Sequence, residues 1–185
     1  MNKSELKFIA ENLIETFNIA GEESIKLYDQ GLDIEFKNDQ SPVSNGDLKV
    51  NEIITSKIRE LTPNIVVISE ETVDLKIKNK ANIFWLIDPI DGTKEYIAGT
   101  NEYTLNAALV VNKIPVLGLV GAPKKKQLFY SYNPGESFLI EENITRKINC
   151  LKKTPKNEII ALSSTTKPSD FILNKLKEYG VTSIV

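Results

Sequence analysis

A chain of 185 residues, 41% hydrophobic and 26% charged, can form one domain with a real core plus part of a second, and its net charge of −2 gives no general attraction to a nucleic acid polymer or a membrane. The absence of histidine removes Ser-His-Asp and Cys-His triads, phosphohistidine chemistry and His-bound zinc or iron, which leaves carboxylates, hydroxyls, lysines and metal-activated water for any hydrolysis. The single Cys150 excludes an intramolecular disulfide framework and a Cys-rich zinc site; it reads as a small core residue and suits a reducing compartment.

The first residues, MNKSELKFIAENLIETF, alternate charged with apolar side chains and lack a signal-peptide core, and no apolar run approaches the ~20 residues needed to span a bilayer. Apolar residues at Leu6, Ile9, Leu13, Phe17, Ala20 and Leu27 predict a long amphipathic helix over Ser4–Tyr28 that ends near Gly31. Leu32 to Phe36 reads as a strand leading into KNDQSPVSNGD at 37–47, where Pro42 is expected to forbid regular structure. A second amphipathic helix follows over Asp47–Leu61, with Val50, Ile53, Ile54, Ile58 and Leu61 on its apolar face. Ile65–Ser69 predicts a strand from whose end Glu70 and Glu71 emerge. Ile83–Ile87 predicts another, with Asp88, Pro89, Ile90 and Asp91 as the turn leaving it and Gly92 and Thr93 opening a short helix. From Tyr103 to Cys150 the runs TLNAALVV, VLGLVGA, QLFYSY, ESFLIEE and KINC alternate with turn signals, an antiparallel meander. Glu158–Ser163, a helix near Pro168–Tyr179 and Val181–Val185 form a strand-helix-strand unit, so the expected division is 1–155 and 156–185.

The chemistry concentrates in WLIDPIDGTKEYI at 85–97, where two carboxylates stand beside the free N–H groups of a helix start. Carboxylates and backbone carbonyls are hard oxygen ligands suited to Mg2+, and a helix N-terminus suits a phosphate. Alone, D-P-x-D-G-T reads more readily as a plain turn than as a site. Glu70 and Glu71 after one strand, and Asp47 at a helix start, add carboxylates, but the three clusters converge only if their loops share one end of the sheet. Lys124–Lys126 reads as a basic hairpin tip with no assigned role. Strand alternation puts at least one of Phe84 and Trp85 in the core. Tyr96 and Tyr103 stay undecided, and Lys94 either approaches a phosphate or faces solvent.

DPIDGTKEYI followed by NEYTLNAAL, with DQSPVSNGD and ISEE, resembles the Mg2+-dependent, lithium-sensitive phosphatases of the inositol monophosphatase superfamily, and most of all the CysQ-type 3'(2'),5'-bisphosphate nucleotidases. Inositol monophosphatases proper tend to carry Thr-Asn where this chain has Lys94 and Glu95. The resemblance implies an α+β fold, a layered α/β sandwich of the inositol monophosphatase/fructose-1,6-bisphosphatase type with an antiparallel sheet flanked by helices and an incomplete carboxyl-terminal α/β subdomain. Family members usually continue through a W-D-x-A-A-G segment whose aspartate is a ligand of the second metal. This sequence lacks that segment and stops inside an apolar strand, a poor terminus for a domain, so a truncated product or fragment is expected.

Carried over residue by residue, the resemblance makes Asp88 the bridging ligand of two Mg2+ ions, Glu70 and the Ile90 carbonyl the remaining protein ligands of the first, and Asp91 a ligand of the second. Two or three ions are implied. Thr93 and Asp47 resemble the pair that orients the attacking water, and Glu70 also receives its proton. Glu70, Ile90, Asp91, Gly92 and Thr93 would line the substrate, with the Gly92 and Thr93 N–H groups on the phosphate. Lys37 lies in a loop that is mobile in the family and closes over the metals, so Asp47 is free to lie apart from the other groups. The implied activity converts adenosine 3',5'-bisphosphate to AMP and phosphate. The alternatives are an inositol-phosphate phosphatase or a truncated metal-binding remnant with little or no activity. The resemblance also implies a cytoplasmic protein and leaves room for a homodimer and for a peripheral location at the inner membrane.

Overall fold

The computed structural model describes residues 1–37, 39–72, 81–149, 159–163 and 168–184. The expected core role of Cys150 and the outer strand ends at Glu158 and Val185 lie outside them. The chain divides into two compact units, Met1–Ile148 and Asn149–Val185.

The first unit opens with helix α1, Lys3–Gln30. Its start is a capping box: the Asn2 side chain accepts from the Glu5 N–H at 3.0 Å, and the Glu5 carboxylate accepts from the Asn2 N–H at 2.8 Å. It stops at Gly31, whose φ of +96° is open to glycine and strained for other residues. Strands β1, Ile34–Phe36, and β2, Pro42–Ser44, form a small antiparallel ribbon. This corrects the expected loop at Pro42. Pro42 pairs with Phe36 at the end of a two-stranded ribbon, where the missing proline N–H deprives no central ladder of a bond. Helix α2, Asn45–Leu61, begins with a second capping box made by Ser44 and Asp47.

Strands β3 (Val66–Ser69), β4 (Ile83–Asp91), β5 (Thr104–Val111), β6 (Ile114–Ala122), β7 (Gln127–Asn133), β8 (Glu136–Glu141) and β9 (Ile144–Ile148) form one sheet in sequence order. All neighbours are antiparallel except β3 and β4, which are parallel. The short helix α3, Thr93–Ile97, links β4 to β5. β4 does not end at Ile87 as expected. It continues to Asp91, with a register break between Asp88 and Asp91 where Pro89 and Ile90 leave the ladder. Proline is tolerated there because an irregularity needs no N–H from it.

One face of the sheet carries Trp85, Ile87, Leu105, Ala107, Leu109, Leu117, Leu119, Leu128 and Tyr130, which pack with Leu6, Ile9, Leu13 and Phe17 of α1 and Val50, Ile54 and Ile58 of α2 in a single buried cluster. Of the two adjacent aromatics, Trp85 takes the core face and donates its Nε1 proton to Thr62 Oγ1 at 3.0 Å, while Phe84 is half-buried. Tyr96 and Tyr103 are both core residues.

In the second unit, β10 (Ile159–Ala161) pairs in parallel with β11 (Val181–Ile184), and helix α4 (Asp170–Glu178) lies between them in sequence. A parallel pair needs such a crossover. Among the described residues no helix is long and apolar enough to cross a membrane.

Candidate active site

The parallel pairing of β3 with β4 does what neither strand could do alone. It brings the end of β3 level with Asp88 of β4. Ser69 pairs with Ile87, and the next N–H, that of Glu70, donates to the Ile87 carbonyl at 3.0 Å. Glu70, leaving β3, therefore stands beside Asp88, which is still paired with β5.

Asp88 is the electrostatic centre here. Burial pushes its carboxyl up to about 7, and Glu70, Asp91, Glu71 and Asp47 push it the same way. Its Oδ1 is buried without a hydrogen-bond partner, alone in this among the described side chains. Such an atom is costly unless a cation or donor meets it.

Asp47, which its loop left free to lie apart, is bonded to Thr93. It is 1% exposed, and its Oδ2 accepts from the Ser44 N–H at 2.8 Å and the Ser44 hydroxyl at 2.6 Å. Its Oδ1 accepts from Thr93 Oγ1 at 3.0 Å, a link between α2 and α3. Thr93 Oγ1 also lies 3.2 Å from the Ile90 carbonyl. One hydroxyl proton cannot serve both acceptors fully, and the nearer carboxylate is the stronger.

Gly92 stands between Asp91 and Thr93 with φ +91°, and a Cβ there would meet the Glu102 carbonyl at 3.1 Å. Both the conformation and the close approach call for glycine. Asp91 is exposed, with the Asn106 amide 3.5 Å from its Oδ2. The Ile90 side chain is buried, which leaves its carbonyl as its polar contribution. Lys94 is exposed.

Lys37 reaches in and bonds Glu70 at 3.1 Å and Glu71 at 3.0 Å. The Glu71 side chain is 5% exposed and that of Glu70 53%. Both groups of the Lys37–Glu71 pair are shifted upward, for different reasons. At Lys37 burial pulls the ammonium down, but Glu71 and Glu70 outweigh it and raise it; at Glu71 burial raises the carboxyl against the pull of Lys37. Partner charge wins at Lys37 and burial at Glu71.

Glu70, Asp88, Ile90, Asp91, Gly92, Thr93 and Asp47 thus lie along β4, its outlet and the elements bonded to it. Among the described residues, however, no three acidic side chains are drawn together as a finished ligand set. They surround Asp88 at Coulombic range, with Lys37 held by two of them and Asp47 committed to α2. The donors nevertheless fit a hard divalent cation. They are all oxygen, they repel one another, and one has a buried atom with nothing to bind. Sequence reasoning did not assign Ser44, Glu71 or Asn106. The S-x-x-D spacing of a capping box was a readable signal for Ser44, and adjacency to Glu70 for Glu71.

Residues 5–180 match the inositol monophosphatase family. The 3'(2'),5'-bisphosphate nucleotidase CysQ of Salmonella typhimurium is 34% identical over 168 residues, 89% of this chain and 68% of that protein. The protein of the same name from Escherichia coli K12 is 33% identical over the same shares. Among solved structures, CysQ from Bacteroides thetaiotaomicron, described as a bacterial member of the inositol monophosphatase family, superposes with a TM-score of 0.74 at 26% identity, covering 95% of this chain and 71% of that one. Staphylococcal inositol monophosphatase-1 shares the fold, with a TM-score of 0.76 at 20% identity over 97% and 66% of the two chains.

Proposed function

The chain belongs to the inositol monophosphatase family of metal-dependent phosphatases, and from that premise we propose that it is a Mg2+-dependent phosphomonoesterase acting on adenosine 3',5'-bisphosphate to release AMP and phosphate. The observation that carries the metal reading is Asp88, whose buried Oδ1 has no partner and whose charge is opposed by four surrounding carboxylates. The nucleotide reading is supported by the bisphosphate nucleotidase name shared by relatives 33 to 34% identical to this chain.

In this reading Glu70, Asp88, Asp91 and the Ile90 carbonyl would hold two or three Mg2+ ions, which would supply a lowered pKa for water and positive charge for the phosphate and leaving oxygens. The chain's own groups do the rest. Asp47, accepting the Thr93 proton at 3.0 Å, leaves Thr93 Oγ1 only lone pairs to offer a third group. A water donating to that oxygen keeps its own lone pair for phosphorus. The half-exposed Glu70 carboxylate can take up the proton the water sheds. The N–H groups of Gly92 and Thr93, at the start of α3, would serve as donors to a phosphate.

Phosphate release from adenosine 3',5'-bisphosphate and from inositol 1-phosphate, with Mg2+ and with added Li+, tests the proposal. Faster, lithium-sensitive release from the nucleotide is expected. Preference for inositol 1-phosphate replaces the substrate and keeps the chemistry. Mg2+ binding without release from either ester makes the chain a metal-binding protein and overturns the enzyme.

A further inference from the structure

α3 has five residues, fewer than a helix needs to hold its own shape in water. Its position, and with it that of Thr93, must come from the contacts beneath it. Those contacts are tyrosines. Tyr96, 1% exposed, donates its hydroxyl proton to the Ser24 carbonyl of α1 at 2.6 Å. Tyr103 reaches the Ser24 hydroxyl at 2.8 Å, and since Ser24 donates its own proton to the Gly21 carbonyl at 2.7 Å, Tyr103 is the donor. The two rings lie 4.8 Å apart at 58°, a tilted aromatic contact. The segment that carries α3 is thereby tied twice to one residue of α1.

Gly46 completes the seat. It lies in the first turn of α2 beside Asp47, where glycine weakens a helix relative to alanine. Its reason is the ring of Tyr96: a Cβ at Gly46 would stand 2.5 Å from the Tyr96 hydroxyl oxygen, 2.7 Å from Cε1 and 2.9 Å from Cζ. At the far end of α3, Gly99 has φ +73° and a Cβ there would overlap the Tyr28 hydroxyl. Two tyrosines therefore fill two sockets left by glycines, Tyr96 of the short helix the one at Gly46 and Tyr28 the one at Gly99 just beyond that helix. Thr93 is three residues before Tyr96 and Asp47 is next to Gly46, so the ring-to-glycine contact and the 3.0 Å bond from Thr93 to Asp47 join the same two turns.

We propose that Tyr96, seated against Gly46 and tied to Ser24, is a positioning residue: it sets the distance from α3 to the first turn of α2 and so aligns Thr93 with Asp47. The role in hydrolysis rests on the phosphatase reading above. A hydrogen bond weakens steeply once its atoms part or tilt, and a displacement of about 1 Å at a reacting group can cost about a hundredfold in rate.

The test uses the full chain with Gly46→Ala, Tyr96→Phe, Tyr96→Leu and the double variant Gly46→Ala with Tyr96→Leu. Gly46→Ala should lower kcat about 10- to 100-fold with KM changed by less than about threefold. Tyr96→Leu should lower kcat by itself, since it removes the ring that sets the distance, and adding Gly46→Ala to it should cost little more, since the atoms the new methyl meets are gone. Two independent losses of stability would instead multiply. Unchanged kcat in a folded Gly46→Ala or Tyr96→Leu protein, or losses that multiply in the double variant, overturns the proposal.

A second measurement needs no turnover. In the unfolding equilibrium, Thr93→Val and Asp47→Asn should be coupled by about tenfold in the parent chain and uncoupled in the Tyr96→Phe and Tyr96→Leu backgrounds. Coupling that survives in both overturns the proposal, whether or not Gly46→Ala folds. If the parent chain releases no phosphate yet this coupling behaves as expected, the phosphatase reading has failed and the positioning role stands.

Discussion

Asp88 makes the stability of the protein depend on pH in a direction opposite to that of a salt-bridged aspartate. Its carboxyl rises from 3.8 to about 7 on folding, by burial first and then by Glu70, Asp91, Glu71 and Asp47. The folded state then holds a proton that the unfolded state has lost, so the contribution is fully present below about 4 and disappears as pH climbs through 7. Asp88→Asn should therefore be more stable than the parent in metal-free buffer, by a margin that widens from pH 5 to pH 8 and reaches about 4 kcal/mol at most. Urea unfolding followed by the emission of Trp85, the single tryptophan and a buried one, measures it. Mg2+ should reverse the order, raising the Tm of the parent and leaving that of Asp88→Asn and Glu70→Gln nearly unmoved. Equal stabilisation of all three would remove Asp88 and Glu70 from the metal site. At this scale the sequence was informative where a residue's chemistry is its own: Glu70, Asp88 and Asp91 are hard oxygen donors in any fold. It was silent where partners decide, as when Lys37 bonds Glu70 and Glu71, which lie 33 and 34 positions away.

Between β2 and α2 one residue serves both the helix and the site. Ser44 caps α2 while donating its hydroxyl at 2.6 Å to the buried Asp47, which in turn holds Thr93. Ser44→Ala should cost about 1–3 kcal/mol in urea unfolding, the loss of a cap together with a charged hydrogen bond in a buried setting. Ser44→Thr keeps the hydroxyl and should cost much less. α1 and α2 were legible because their apolar spacing repeats over many residues, enough to outvote local exceptions. β2 was not, because Pro42 argues against a strand in isolation and only its place at the end of a two-stranded ribbon removes the objection. The tail of β4 was missed for a related reason. Asp88, Pro89 and Asp91 have turn chemistry, yet Asp88 and Asp91 pair with Asn106 and Thr104 across an irregularity that a strand's own residues do not announce.

The buried cluster as a whole draws its members from α1, α2, α3, strands β4 to β7 and Tyr103 just before β5, all within Met1–Ile148. Leu13, fully buried at the centre of α1, should lose about 2–5 kcal/mol on change to alanine, read as a fall in the urea midpoint with an unchanged slope. A chain of residues 1–148 should unfold cooperatively near the Tm of the full chain. A broad, non-cooperative melt of that piece would show instead that its core depends on residues 149–185. Sequence by itself determined the layers and the chemical inventory, because periodicity, capping boxes and the D-P-I-D-G-T donors are properties of neighbours along the chain. The tertiary structure alone decided that the inventory becomes a site. Whether a strand pairs in parallel is not written in its alternation, yet the parallel match of β3 with β4 is what brings Glu70 beside Asp88. Contacts such as Thr93 with Asp47, 46 positions apart, exist only once the helices have packed on the sheet, since closing so long a loop is favourable only when many buried contacts form with it.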